Sequence, residues 1–476
     1  MMNTMIEEKG VTFKELEQEI FRFVCDLGVA LTQEILQQYD KYLHDSRDTS
    51  ELRDKGTRHT SIKTVYGDVP YDRYVYRTRD EYGENHYVYL LDENLKMNRV
   101  GLVSENCVEL MVSSITEMSY RNCANKVSDM TGLPISHTGV WNIIQTLGEK
   151  LENDERELVA ANKKQEVKGE KEVPVLFEEA DGVWLNLQGK DREKRHFPKA
   201  EMKAAIAYDG WKAEGNDRYS LDGKVVTAGF EKASEFQKKR EAMIAAEYNL
   251  DEVQLRFLNG DGASWIKKTQ DKETVFQLDP FHRNQSIRKN LPHAKAIHDV
   301  MEMLRENKVA ETFAYLEIYR DSLDDDESIK KVEEVISYFR SNRDGLLPYQ
   351  ERGLEIPESP EGLIYRKMGT MENHIWSVIA RRMKHNHTSW SIKGGNHLAK
   401  ILAKKCSGKL YEVTEQLRIP IFEKEKLEEI KGDILQAGQI RKKIGKGYEY
   451  PVIGHMTALE GKTSGERGKL LAMAGF

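Results

Sequence analysis

Apolar residues recur every three or four positions between Thr12 and Asp45, at Leu16, Ile20, Phe23, Val24, Val29, Leu31, Ile35 and Leu36. That spacing predicts one or two amphipathic helices, an arm for packing or self-association. From Arg58 to Leu91 the texture changes to Thr, Val and Tyr interrupted by turn residues, notably Val65-Tyr66-Gly67-Asp68 and Tyr82-Gly83-Glu84-Asn85. A small β-hairpin unit is expected there. Helical spacing returns over residues 104–151. Its middle has helix-turn-helix character: one helix over 119–130, a turn at Gly132-Leu133-Pro134, and a Ser136-capped second helix through Val140, Trp141, Ile143, Ile144 and Leu147. In such a motif the second helix enters the major groove, with Thr138, Asn142 and Gln145 on its polar side as readers of bases or phosphates. A plain helical hairpin with a Gly-Pro turn shows the same pattern. The charged stretch 149–171 reads as a linker or an exposed helix.

Between residues 173 and 290 strand-like and helical pieces follow in an informative order. Strands are expected at 173–180, 182–187, 202–208 and 225–230, a helix over 233–247, a strand over 253–258 and a short helix after Asp261. A strand over 274–278 and a helix from Phe281 complete the series. This order of meandering strands, then helix, strand, helix and strand, matches that of a ribonuclease H-like core. Residues 294–339 read as helical and locally acidic, as at Asp324-Asp325-Asp326-Glu327, and suggest a helical insertion. The expected organisation is a multidomain α+β and α/β chain. It comprises a helical arm (1–56), a small β-rich unit (57–100), a helical DNA-binding region (101–165) and the first part of the core (166–292). The helical insertion (293–365), a core helix with a basic segment (366–410) and a C-terminal region (411–476) follow.

Three acidic residues stand out by their surroundings. Asp181 and Asp261 each end an apolar run and precede a glycine, as carboxylates at strand ends would; Glu372 opens an amphipathic segment of helical spacing. Two strand carboxylates and one helix carboxylate are the parts of a two-metal phosphoryl-transfer centre, in which hard oxygen ligands hold Mg2+ or Mn2+. Asp-Gly alone is equally a common turn dipeptide. Asp279-Pro280-Phe281-His282 adds a second carboxylate and a proton-active imidazole after the last strand.

Charge sharpens the picture. The chain has 476 residues, 79 of them acidic, and a net charge of −7, yet residues 373–411 contain no Asp or Glu at all. Arg381, Arg382, Lys384, Lys393, Lys400, Lys404, Lys405 and Lys409 all lie in that stretch, and a polyanion is their natural counterpart. Arg381, Arg382, Lys384 and Lys393 are candidate phosphate contacts, and Trp390 is a candidate stacking surface for an unpaired base. Trp376 is expected in the core. Four scattered cysteines give neither zinc spacing nor a disulfide framework. With no apolar run of membrane-spanning length and no leader-like start, a cytoplasmic, nucleoid-associated protein is expected.

Glu179-Ala180-Asp181-Gly182-Val183, Asn259-Gly260-Asp261-Gly262-Ala263-Ser264-Trp265-Ile266, Leu278-Asp279-Pro280-Phe281-His282 and Gly369-Thr370-Met371-Glu372, with Arg381-Arg382-Met383-Lys384 and Ser389-Trp390-Ser391, together resemble the bacterial insertion-sequence transposases of the ISLre type. The resemblance to Mutator-like transposases is looser. It implies a ribonuclease H-like D-D-E enzyme with a helical insertion before its glutamate. The implied triad is Asp181, Asp261 and Glu372, with His282 of the Asp-x-x-His motif beside it and two Mg2+ or Mn2+ ions. It also implies cleavage at element ends, transfer of the 3′-OH into target DNA, terminal inverted repeats as partners, and at least a homodimer. Two other readings compete: a non-enzymatic or inactivated DNA-binding regulator derived from a transposase, and a hydrolase using Glu179 and Asp181 on another substrate.

Overall fold

The computed structural model describes residues 12–79, 83–95, 101–267, 274–385, 388–415 and 417. It resolves into two compact units, one holding residues up to Met111, 120–140 and the chain from Thr414, the other holding 112–119 and 141–413. The region expected to be one helical domain, 101–165, is therefore shared between units. Nearly all of the expected C-terminal region 411–476 lies outside the described residues.

The first unit opens with a single helix rather than two, α1 (Phe13–Ser46). Thr12 caps it by accepting from Glu15 N while the Glu15 carboxylate accepts from Thr12 N, a reciprocal capping box. Strands β1 (Arg53–Thr64) and β2 (Gly67–Arg79) form the expected hairpin about Val65-Tyr66, and β3 (Asn85–Val88) extends the sheet in the order β1-β2-β3. Gly67, at φ +137°, takes the turn conformation that a side chain would strain. Leu36 of α1 packs with Ile62, Val69 and Tyr71 of the hairpin and with Leu91 and Leu95 of α2 (Leu90–Leu95).

Helices α3 (Glu105–Ile115), α4 (Tyr120–Met130) and α5 (His137–Lys163) follow. The Gly-Leu-Pro turn and the Ser136 cap fall where expected, with Ser136 Oγ accepting from Gly139 N at 3.1 Å. The second helix does not stop before the charged stretch. It continues through that stretch to Lys163.

The second unit is built on a five-stranded sheet. Its strands are β4 (Val175–Asn186), β5 (Lys199–Tyr208), β8 (Val225–Gly229), β9 (Leu255–Gly260) and β10 (Val275–Leu278), in the spatial order β10-β9-β4-β5-β8. β4 runs antiparallel to β5 and parallel to β9; β5 is antiparallel to β8, and β9 is parallel to β10. The short helix α6 (Gly189–Glu193) lies between β4 and β5. A hairpin absent from the sequence expectation, β6 (Gly210–Gly215) and β7 (Arg218–Asp222), joins a two-residue strand, β11 (Leu363–Ile364), in a second small sheet. Helix α7 (Ala233–Glu247) connects β8 to β9, α8 (Ser264–Lys267) connects β9 to β10, and α9 (Pro280–Asn290) leaves β10. Residues beyond it form α10 (Ala294–Arg305), α11 (Val309–Asp321) and α12 (Asp326–Ser341), the expected helical segment. Its core joins Ile287, Leu291, Val300, Leu316, Val335 and Phe339. Helical turns over 371–383 (α13, Met371–Ile375; a π segment; α14, Arg381–Met383) and α15 (Ile392–Cys406) close the unit. Among the described residues no helix is long and apolar enough to cross a membrane.

Alternation along β4 gives its two faces different tasks. On one face Phe177 stacks on Tyr208 and Phe257 at 5.6 Å and meets Trp211, Tyr349 and Tyr365 edge-on at 5.2 to 5.4 Å. On the other, Glu178 is fully buried and receives Arg256 at 2.6 Å and Arg240 at 3.4 Å, while Arg256 also reaches Glu241 at 3.0 Å. Burial alone would lower the Arg256 pKa, but the charges of Glu178 and Glu241 raise it, so the guanidinium stays charged. Arg256→Met should destabilise the protein by about 3 to 5 kcal/mol in denaturant unfolding, because two buried carboxylates lose their shared cation. An unchanged midpoint would disprove this role.

Candidate functional site

The parallel pairing of three strands ends in one row. Ala180 of β4 and Leu278 of β10 both pair with Gly260 of β9, so the next residues, Asp181, Asp261 and Asp279, emerge side by side. Asp181 does not end its strand, contrary to the sequence expectation. The two strands expected at 173–180 and 182–187 are one, because β5 goes on pairing with β4 as far as Asn186 after β9 has stopped. Gly182 has a packing role rather than a turning one: a Cβ there would lie 2.3 Å from Glu201 Oε1. Gly262 does turn the chain, at φ +88°. Asp261 Oδ1 then accepts from Ala263 N at 2.8 Å as the backbone enters α8.

Asp279 caps α9, with Pro280 at the first helical position. Its Oδ2 receives the backbone N–H of His282 at 3.1 Å and faces the ring Nδ1 at 2.9 Å. The other ring nitrogen, Nε2, stands 3.7 Å from Asp181 Oδ2. Burial would lower the His282 pKa, but the Asp279 hydrogen bond and the charges of Asp181, Asp279 and Asp261 outweigh it and raise the value to about 9. Asp279 is shifted the other way, since burial, which would raise it, is overcome by its bonds from His282 and Asn259. Tyr338 of α12, whose hydroxyl donates to the Asp261 carbonyl at 2.8 Å, has its pKa raised by burial and then by Asp261, Asp279 and Asp181. The three carboxylates therefore share one electrostatic field. An open cleft of about 530 Å³ lies against Asp261, Gly262, Tyr338 and Asn342.

Glu179, two residues before Asp181 on the same face of β4, is wholly buried. Its carboxylate accepts six hydrogen bonds, from Tyr208 Oη, Asn259 Nδ2, the backbone N–H groups of Gly369, Thr370 and Met371, and Thr370 Oγ1. Three of those donors are the free N–H groups where the helical turns of α13 begin, a place that favours an anion. Burial raises the Glu179 pKa, opposed by the bonds from Tyr208 and Thr370. Asn259 gives its second N–H to Asp279 Oδ1 at 3.0 Å, and Gln277, behind it, accepts from Tyr349 N at 3.0 Å. Glu372, the second residue of α13, thus follows directly on the backbone that is bonded to the strand carrying Asp181. The Glu372 side chain lies outside the described residues, as does that of Trp376.

Among the described side chains no three His, Cys, Asp or Glu groups converge as a closed metal site. The donors are nonetheless of the right kind for a divalent metal ion. Asp181 and Asp261 offer hard oxygen atoms from adjacent strands, where Mg2+ or Mn2+ accepts a few carboxylates and keeps waters. The field they share with Asp279 favours a cation, as the raised His282 pKa reports.

The expected nucleic-acid contacts divide. Thr138, Asn142 and Lys384 are exposed, whereas Gln145 is buried and faces no groove. Arg382 is buried and donates to the Ile115 carbonyl at 2.8 Å; its guanidinium lies 5.4 Å from the ring of Trp390. Trp390 is also buried, with its indole N–H on Met383 O at 2.8 Å, so these three residues are packing elements instead of DNA contacts. Arg381 and Lys405 pair with Glu117, Lys393 with Glu149, Lys400 with Glu155 and Glu231, and Lys409 with Glu247. The counterpart of the acid-free stretch is largely supplied by carboxylates elsewhere in the same unit. Glu179, Asn259 and Gln277 carried one sequence signal, polar residues inside otherwise apolar strand runs.

Two outcomes test this geometry. In metal-free protein His282 should titrate near 9 by NMR, and Asp279→Asn should lower that value by removing its main partner. The His282 contribution to stability is complete below the unfolded histidine value and is lost as pH rises through about 9; a native titration near the unperturbed 6.5 would refute the pairing. Glu179→Gln should speed hydrogen exchange at the Thr370 and Met371 amides and cost about 2 kcal/mol or more, since an amide cannot accept from six donors. Unaltered exchange at those two amides would show that the clamp is dispensable.

A family model described as "Uncharacterised protein family (UPF0236)" matches residues 6–417. A UPF0236 protein of Caldanaerobacter subterraneus subsp. tengcongensis, whose name joins eleven designations, is 26% identical over 426 residues, covering 87% of this chain and 82% of its own length. A second from the same organism, joining four designations, is 25% identical over 416 residues, covering 85% of this chain and 80% of its own. The UPF0236 protein in the vanSb 3′ region of Streptococcus gallolyticus is 23% identical over 424 residues, covering 86% and 88%. A solved structure, the pre-cleavage Mos1 transpososome, aligns over 51% of this chain and 79% of its own at 11% identity, with a TM-score of 0.12 that is too low to bear on the fold. With a family model matched over residues 6–417 and relatives aligned over more than four fifths of the chain, the chain belongs to the UPF0236 family.

Proposed function

We propose that the protein is the D-D-E transposase of an insertion sequence, acting on double-stranded DNA through a ribonuclease H-like core. The observation that carries this reading is the row of Asp181, Asp261 and Asp279 at the ends of β4, β9 and β10, beside a helix carrying Glu372 and hung from Glu179. The sheet order β10-β9-β4-β5-β8, with β5 antiparallel to both its neighbours β4 and β8, and β9 and β10 parallel to β4, is the arrangement a ribonuclease H-like core requires. Relatives whose single names join eleven and four designations fit an element that copies itself. The sequence resemblance to ISLre-type transposases points the same way.

Two divalent ions, when bound, would supply activation of the attacking water or 3′-OH and neutralise charge on the leaving oxygen. Asp181 and Asp261 are the residues that would hold them, with Glu372 as the third carboxylate. Protonated His282 keeps Asp181 paired until the site is loaded, and its Nε2–H would then be free to donate to a phosphate oxygen. Terminal repeats and target DNA are the substrates, and two ends held together call for at least a homodimer. The alternative, a DNA-binding regulator without chemistry, predicts end binding with no dependence on these carboxylates.

A gene supplied beside a marker flanked by its native end DNA should excise that marker in cells, and Asp181→Ala or Asp261→Ala should abolish excision while the purified variants still bind the ends. Mn2+ at a hundredfold excess over its dissociation constant should stabilise the wild-type protein by about 2.7 kcal/mol, seen as a raised melting temperature, and leave Asp261→Ala unmoved. Excision by both variants, or an identical Mn2+ response, would refute the site. Binding without excision by wild type would favour the regulator.

A further inference from the structure

The cations expected to meet DNA are mostly held by carboxylates within the unit, which raises the question of which surface beside the site is left for a polyanion. Helix α9 answers it. Phe281, Asn284, Gln285, Arg288 and Lys289 are spaced at i, i+3, i+4, i+7 and i+8 from Phe281, one continuous face of the helix, and they line a surface groove of about 550 Å³. The opposite side of α9 places Ile287 in the core of the helical segment. Phe281, Gln285, Arg288 and Lys289 are exposed, and neither cation has an acidic partner among the described residues. What sets this face apart is the combination on one helix side of an exposed aromatic and two cations, complementary in chemistry to the bases and phosphates of a nucleic acid strand.

The face leads directly to the site. Phe281 meets the ring of His282 edge-on, centroids 5.4 Å apart at 88°, and His282 stands 3.7 Å from Asp181. The helix begins at Asp279, the third member of the carboxylate row. A group stacked on Phe281 is therefore one residue from the reacting end, and a chain of phosphates running along the helix passes Gln285 and Asn284 before Arg288 and Lys289.

We propose that the exposed face of α9 is the track for a DNA strand entering the site, with Phe281 stacking on an unpaired base next to the reacting phosphate and Arg288 and Lys289 neutralising phosphates further along. The proposal rests on the transposase reading for the identity of its ligand. Stacking on an aromatic tolerates any base, and two lysine or arginine contacts release counterions whatever the sequence. The track therefore contributes strand capture and leaves sequence reading to other surfaces.

The test uses the full chain and two fluorescent DNAs of arbitrary sequence, a blunt duplex and the same duplex with a single-stranded 3′ tail, with anisotropy recorded over a range of NaCl concentrations. The double variant Arg288→Ala, Lys289→Ala should flatten the slope of log affinity against log salt by about 1.5 on both DNAs. Phe281→Ala should weaken the tailed DNA about tenfold with little change in slope, and Phe281→Tyr should restore it. All these residues lie on the exposed side of the helix, so the variants are expected to fold. Wild-type affinity and slope in both variants would overturn the track, and equal loss on blunt and tailed DNA in Phe281→Ala would overturn the stacking. Mn2+-dependent nicking of the same DNAs by wild type, absent in Asp261→Ala, separates the two readings. If wild type nicks while the α9 variants bind normally, the track fails and the transposase reading stands. If nothing nicks while the α9 variants lose binding as described, the track stands and the transposase reading fails.

Discussion

The buried carboxylate of Glu179 is the interaction on which the arrangement of the site depends. A wholly buried anion is costly unless every lone pair is used, and here six donors converge on it, three of them the opening N–H groups of the helical turns that carry Glu372. Because side chains alternate along a strand, Phe177, Glu179 and Asp181 share one face of β4, so aromatic core, clamp and site residue stand in a line on one rigid element. The placement of α13 relative to Asp181 is thus set by two steps along β4. The long helical segment between them in sequence has little say in it.

The clamp also ties the strands to one another. Asn259, directly beside Glu179 in the β4–β9 register, divides its two amide protons between Glu179 and Asp279. Asp279 in turn holds the His282 ring, which faces Asp181. A disturbance at any of these largely buried groups reaches the others through the hydrogen bonds and the His282–Asp181 ion pair they share, which is how polar networks enforce a single geometry.

Electrostatics in the second unit is organised by sign matching across distance in the sequence. The glutamates of α5 and its neighbours meet the lysines of α15, and Glu178 and Glu241 meet Arg240 and Arg256 beneath the sheet. The carboxylate row at the strand ends meets the His282 ring, and the cationic face of α9 lies next to it. A divalent cation and a phosphodiester would complement these two features respectively.

Much was legible before any coordinates. The hairpin after α1, the Ser136 cap and most of the strand and helix order from β4 to α9, the β6–β7 hairpin excepted, follow from local periodicity and from turn and cap chemistry, because those signals are written within a few residues of where they act. The sequence also brought forward Asp181, Asp261, Asp279 and His282 as polar residues at the ends of apolar runs. It could not show that β4 passes through Asp181 unbroken, because that is decided by β5 pairing alongside, nor that Glu179 is the clamp, since its donors come from residues near 208, 259 and 370. Nor could it show the pairing of the acid-free stretch, for the same reason: charge read along the chain ignores the glutamates that folding brings opposite it. What the sequence alone determined was which segments are helix or strand and which side chains are chemically capable. Only the tertiary structure decided which of those side chains meet, because burial, register and charge pairing are properties of neighbours in space.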